Sequence, residues 1–164
     1  RWVSERRGDR RVWLLWRCIA HSQRLTAVRE HKVYLSLGAN LGDREGNIKL
    51  AIQQISELIG PVVRQSALLE TAPWGFSSAN TFINAAVCSQ TSLSPREVLK
   101  ATQDIERTLG RTQKSTGGQY HDRPIDIDIL LYDDLHVNEP DLVIPHPHMN
   151  ERQFVLQPLS EIIE

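Results

Sequence analysis

In KVYLSLG, Val33, Leu35 and Leu37 alternate with Tyr34, Ser36 and Gly38, which predicts a strand with one face in a core. Beyond Gly38 and Gly42 the period changes. Ile48, Ala51, Ile52, Ile55, Leu58 and Ile59 recur at helical spacing behind Asp43, a suitable N-cap, and Gly60-Pro61 ends the run. VVRQSALLET predicts a second strand over 62–71, TAPWGFSSAN a loop over 71–80, and TFINAAVCSQT a third strand over 81–91. Ser94, Pro95 and Glu97 form a capping box with proline at the first helical position. The helix they open buries Val98, Ala101, Ile105 and Leu109, and Gly110 stops it. RTQKSTGGQYHD is a polar loop over 111–122. Then Ile125, Ile127, Ile129 and Leu131 alternate with Asp126, Asp128, Leu130 and Tyr132. This fourth strand is expected to turn its isoleucines and Leu131 to the core, with Tyr132 beside the aspartates on the other face. A turn at Asp133-Asp134, a proline-punctuated loop and a short helix from about Asn150 complete the chain. The order β-α-β-loop-β-α-loop-β predicts an α+β, ferredoxin-like fold, a mixed or antiparallel sheet with helices packed on it.

Charge divides the chain. Of 19 basic and 20 acidic residues, eight arginines and three acids fall in the first 30 positions, leaving 11 basic and 17 acidic in the rest. Three of the four tryptophans lie there too, without a cap or a sustained period. We read residues 1–31 as a basic appendage outside the core, such as translated upstream sequence, ahead of a targeting segment or a nucleic-acid arm. Residues 32–164 are then one domain, long enough to bury a core without staples. Two distant cysteines, Cys18 and Cys88, give no disulfide framework or metal spacing, and no stretch is long and apolar enough to cross a bilayer. A cytoplasmic monomer is expected, without a membrane or nucleic-acid partner.

The chemistry concentrates in four places. Asp126 and Asp128 put two carboxylates on one strand face, where they repel unless a cation or arginine completes them. Mg²⁺ suits such a pair, taking few carboxylate oxygens with water and phosphate. An isolated Asp-x-Asp is more often a solvated edge. Gln103 and Glu106 lie three apart and off the apolar stripe of their helix, the usual pattern of a solvated face. Arg111, Lys114, Arg123 and Arg152 offer forks or point charges for phosphate. IPHPHMNERQF holds His146 and His148, which suit phosphate contact better than zinc. Asn84 sits among apolar neighbours and needs partners for its amide, either backbone or the edge of a flat heterocycle, with Phe82 and Phe154 able to stack on such a ring. There is no Walker-type loop and no dinucleotide fingerprint, so a nucleotide must be held by side chains and metal.

In combination and order, LSLGANLGD, ETAPWG…FINAAV, RPIDIDILLYDD and IPHPHMNERQFVLQPL resemble the 6-hydroxymethyl-7,8-dihydropterin pyrophosphokinase family of folate biosynthesis, over about Val33 to Ile162. The resemblance implies transfer of the terminal pyrophosphate of ATP to the pterin hydroxymethyl group, with AMP released and two Mg²⁺ ions engaged. By position, Asp126 and Asp128 match the metal ligands. Gln103, Glu106, Arg111, Arg123, His146 and Arg152 match ATP-side positions, with Arg111 and Arg123 as the charge-stabilising pair. Thr71, Asn84 and Phe154 match pterin-side positions, with backbone near Pro73 and Trp74, and the ring between Phe154 and Phe82. Phe82 stands where tyrosine is frequent, Tyr120 where some members have tryptophan, Gln113 where an arginine can occur, and Pro147 where an aromatic is seen. The alternatives are a non-catalytic ferredoxin-like nucleotide- or RNA-binding domain and a metal-dependent nuclease.

Overall fold

The computed structural model describes residues 30–110 and 121–164. Two split β-α-β units build the sheet. Strand β1 (His31–Ala39) leads through helix α1 (Arg44–Leu58) to β2 (Val62–Gln65) and β3 (Leu69–Thr71). Strand β4 (Phe82–Thr91) leads through α2 (Pro95–Thr108) to β5 (Asp126–Tyr132). A hairpin of β6 (Val137–Glu139) and β7 (Leu142–Ile144), a single 3-10 turn (Met149–Glu151) and α3 (Gln153–Ser160) follow. The sheet runs β2-β4-β1-β5, with β3 also on β4 and every pairing antiparallel. With β2 and β3 as two halves of one position, this is the ferredoxin-like order, and the α+β expectation holds. Among the described residues, no helix is long and apolar enough to cross a membrane.

Local signals act as their chemistry requires. The Asp43 side chain accepts from Gly46 N at the start of α1. Ser94 and Glu97 close the capping box of α2, and Gly110 takes a φ of +96° just beyond its end. The main core lies between the sheet and α1 and α2: Val33, Leu35 and Leu37 with Ile48, Ile55, Val98 and Ile105. The opposite face is covered by α3, where Val155 and Leu159 meet Tyr34, Ala86, Cys88 and Leu130.

Four expectations change. The second strand is not continuous over 62–71. At the break the Ser66 hydroxyl turns inward, accepting from Ala86 N at 2.9 Å and donating to Ala67 O at 2.8 Å. The loop after Asp134 contains the β6–β7 hairpin, whose three-residue strands are too short to show a period. The last helix starts at Gln153, three residues later than expected. Finally, Leu131 and Tyr132 exchange faces. The pairing of β5 with β1 steps from Leu35↔Ile129 to Tyr34↔Leu131, so Leu130 is an extra residue, a β-bulge. Leu130 and Leu131 both turn toward α3, and Tyr132 enters the main core with its hydroxyl donating to Leu93 O at 2.6 Å.

Candidate active site

The sheet register assembles the site floor. Gly38 of β1 is opposite Asn84 of β4 on one side and Asp126 of β5 on the other. Ser36 is likewise opposite Ala86 and Asp128. Residues opposite one another share a face, so Phe82, Asn84, Gly38, Ser36, Asp126 and Asp128 lie on the face that α3 covers farther along. Adjacent strands are roughly 4.8 Å apart, which separates Asn84 from Asp126 by about 10 Å. Gly38 keeps the ground between them low. A Cβ there would lie 3.3 Å from Asn84 Oδ1 and 3.6 Å from Phe82 Cδ1.

On the β4 side, buried Asn84 donates through Nδ2 to Thr71 Oγ1 at 2.7 Å and to Leu69 O at 3.3 Å. Phe82 is buried, with Phe76 edge-on at 6.1 Å. Phe154, in the first turn of α3, meets Trp74 at 6.4 Å between ring centroids. The buried Arg152 guanidinium lies 4.5 Å from the Trp74 ring and 5.9 Å from that of Phe154. Pro73 is half-buried in the same loop as exposed Trp74. Thr71 and Asn84, the two sheet positions that the resemblance matched to the pterin side, are thus bonded to each other. Phe154 belongs to a second cluster with Trp74 and Arg152.

On the β5 side, the Arg123 guanidinium is 3.4 Å from Asp126 Oδ2 and 5.6 Å from the Phe82 ring centroid. Asp128 is only partly exposed. Burial, then the charges of Asp126 and Glu106, push its carboxyl up to about 7, against the opposing pull of Arg152 and Arg123. Glu106 is buried, which overturns its reading as part of a solvated face, while Gln103 is half-buried. His146 sits where Ile144-Pro145 is cis and donates its backbone N–H to Leu130 O at 3.0 Å. Burial, with Arg152 and His148 adding, pushes its imidazole down to about 4, so it is neutral near pH 7. Asp128 and His146 share a cleft of about 250 Å³ with Leu99, Ile127, Leu142 and Pro147. Arg111, Gln113, Lys114 and Tyr120 lie outside the described residues.

Asp126 and Asp128 are the residues that suit a metal. Two carboxylates on one face, one of them resisting ionisation, leave negative charge to be balanced. Among the described residues no three His, Cys, Asp or Glu side chains converge on a closed cage. That donor set fits Mg²⁺, which keeps water and phosphate oxygens, better than a structural zinc.

Sequence reading missed two residues that hold the site together. The Asn40 side chain donates to Asp122 Oδ1 at 2.7 Å and accepts from Arg123 N at 2.7 Å. Asn40 sat in the turn between Gly38 and Gly42, and Asp122 at the end of the stretch read as a polar loop over 111–122. Buried Asn40 at the end of an apolar strand was the available signal, the same as at Asn84.

Residues 34–164 match the family model described as 7,8-dihydro-6-hydroxymethylpterin-pyrophosphokinase (HPPK). The chain belongs to this family. A 2-amino-4-hydroxy-6-hydroxymethyldihydropteridine pyrophosphokinase of Porphyromonas gingivalis is 51% identical over 131 residues, which cover 79% of this chain and 89% of that protein. The protein of the same name from Bacillus subtilis is 41% identical over 132 residues, covering 80% and 77%. Among solved structures, wild-type HPPK-DHPS of Plasmodium falciparum superposes with a TM-score of 0.62 at 15% identity, covering 82% of this chain and 38% of that one. The chain spans well under half of that longer protein, and the likeness there is one of fold.

Proposed function

We propose that this chain transfers pyrophosphate from ATP to the hydroxymethyl oxygen of 6-hydroxymethyl-7,8-dihydropterin and releases AMP. The reaction forms a bond from that oxygen to the β-phosphorus. It breaks the bond from the β-phosphorus to the oxygen bridging to the α-phosphorus, and the hydroxyl proton departs. Family membership and the names of the curated relatives support the reaction.

One observation supports the division of labour most strongly: Asn84, Gly38 and Asp126 form a single row across three strands of one face. In this reading Asn84 and Thr71 bond the edge of the flat pterin, close to Pro73 and Trp74. Phe82 and Phe154 supply apolar faces for the ring. The phosphates lie toward β5, where Asp126 and Asp128 would hold Mg²⁺. When bound, Mg²⁺ supplies Lewis-acid polarisation of the phosphoryl oxygens and neutralises their charge. Arg123 opposes the charge that develops during transfer, and Arg111 is proposed as its partner. Gln103, Glu106, neutral His146 and Arg152 then flank ATP, with its adenosine in the cleft between Leu99 and Leu142.

The test is product analysis of purified protein with ATP, Mg²⁺ and the hydroxymethyl pterin. AMP and pterin pyrophosphate, formed only with all three present, are expected. ADP would place attack on the wrong phosphorus and sink the proposal.

A further inference from the structure

Asp122 is itself assigned to neither substrate, yet its carboxylate joins three separate parts of the chain. Its Oδ1 accepts from Asn40 Nδ2 at 2.7 Å, just after β1. Its Oδ2 accepts from Asn80 Nδ2 at 2.8 Å, just before β4. The Ser78 hydroxyl bonds it as well, and Ser78 Oγ in turn accepts from Asn80 N at 3.1 Å, closing that loop on itself. These donors, Ser78 first, hold the Asp122 carboxyl below the usual carboxylate range.

The next residue is Arg123. Asn40 grips its backbone at both polar atoms: Arg123 N donates to Asn40 Oδ1 at 2.7 Å, and Asn40 N donates to Arg123 O at 3.1 Å. The Arg123 guanidinium then reaches Asp126 at 3.4 Å and sits over Phe82. A continuous chain of contacts therefore runs from the loop that carries Pro73 and Trp74, through one carboxylate, to the arginine beside the aspartate pair.

We propose that Asp122 is a positioning residue, which ties the 78–80 loop to the backbone of Arg123 and so sets pterin site and transfer site in one geometry. The inference rests on the pyrophosphokinase reading. A carboxylate is needed for a stated reason. Two amide groups and a hydroxyl point donors at it, and only a side chain with two accepting oxygens satisfies all three. An amide at this position turns its own N–H₂ against Asn40 or Asn80. Loss of a charge-assisted hydrogen bond that places a reacting group costs roughly ten- to a hundredfold in rate.

The experiment compares steady-state kinetics of wild type, Asp122→Asn, Asn80→Asp and the double variant Asp122→Asn/Asn80→Asp, alongside melting temperature and titration with a non-hydrolysable ATP analogue. Wild-type turnover secures the underlying reading; its absence would overturn that reading rather than this one. With turnover in hand, Asp122→Asn is expected to lose about ten- to a hundredfold in kcat/KM for the pterin. Affinity for the ATP analogue should change by less than about threefold, since Arg152, His146 and Glu106 are untouched and Arg123 acts on charge that develops only during transfer. Asn80→Asp alone sets two carboxylates face to face and should also lose activity. The double variant restores a donor–acceptor pair with its polarity reversed, and should recover most of the loss of either single change. Asn80→Ala removes one bond only and covers the case in which Asp122→Asn fails to fold. It is expected to lose about three- to tenfold in the same ratio. Pterin kcat/KM within twofold of wild type in both Asp122→Asn and Asn80→Ala would overturn the proposal. So would pterin and ATP parameters falling together with the melting temperature, or a double variant no better than its parents.

Discussion

Replacing Asp128 by Asn should make the metal-free protein more stable while abolishing its chemistry. In the fold this carboxyl is pushed up to about 7 from an ordinary 3.8, by burial first and then by Asp126 and Glu106. Each unit is worth about 1.4 kcal/mol, so ionising it above pH 7 costs about 4 kcal/mol of folding stability. An amide of the same shape carries no charge but remains a partly buried polar group, costing about 1–2 kcal/mol. The net gain is roughly 2–3 kcal/mol, equivalent to about 10 °C in melting temperature for a domain of this size. The sign follows from proton counting. Between about pH 4 and pH 7 native Asp128 holds a proton that the unfolded chain has released, so this group's contribution to stability falls as pH rises. His146 acts oppositely. Its folded value of about 4 lies below its ordinary 6.5, so the unfolded chain binds more protons there and stability rises with pH over that interval. The two slopes offset each other in the wild type. Asp128→Asn removes one and exposes the other. Thermal melts of both proteins in chelator from pH 4.5 to 8.5 should therefore give a difference curve that starts in favour of the wild type, by the amide's burial cost of about 1–2 kcal/mol, crosses zero and reaches its plateau above pH 7. A difference independent of pH, or a variant less stable than wild type at pH 8, would refute the reasoning. Mg²⁺ with an ATP analogue should then stabilise the wild type and have little effect on the variant.

Gly38→Ala places a methyl group 3.3 Å from Asn84 Oδ1. Pterin affinity should fall about tenfold with little change in melting temperature, as fluorescence titration would show. Asn84→Ala removes the amide that bonds Thr71 and should cost pterin binding about 1–3 kcal/mol while sparing the ATP analogue; equal losses for both ligands would contradict the assignment. Ser94→Ala opens the capping box of α2 and should lower stability by about 1 kcal/mol in urea melts.

Much of the architecture was legible because local chemistry and tertiary position agree. Asp43, Ser94, Pro95, Glu97 and Gly110 mark helix ends by short-range hydrogen bonding and backbone preference, and both helices lie where those residues put them. The isoleucines of β5 face the core because period two and burial coincide there. What escaped reading depends on partners far along the chain. Ser66 breaks a strand only because Ala86 lies opposite its hydroxyl. Glu106 looks like surface charge by helical spacing, and its burial follows from the packing of α2 rather than from its own neighbours in sequence. At the site, motif resemblance suggested which residues matter. The row through Gly38 and the Asn40–Asp122–Arg123 junction come from register and loop closure, which pair residues 46 to 88 positions apart.

The bulge at Leu130 divides β5 into two reading frames. Ahead of it, alternate residues belong to the aspartate frame. Behind it, the phase is offset by one, so two leucines in succession serve the layer beneath α3 and Tyr132 still returns to the core. A strand without this offset would carry one leucine fewer to α3 for the same span of β1. The extra residue therefore insulates the chemical end of the strand from the structural end. Residue size and chain length beyond Leu130 can drift with the packing of α3, while Asp126 and Asp128 keep their orientation, which is set by their register against Gly38 and Ser36.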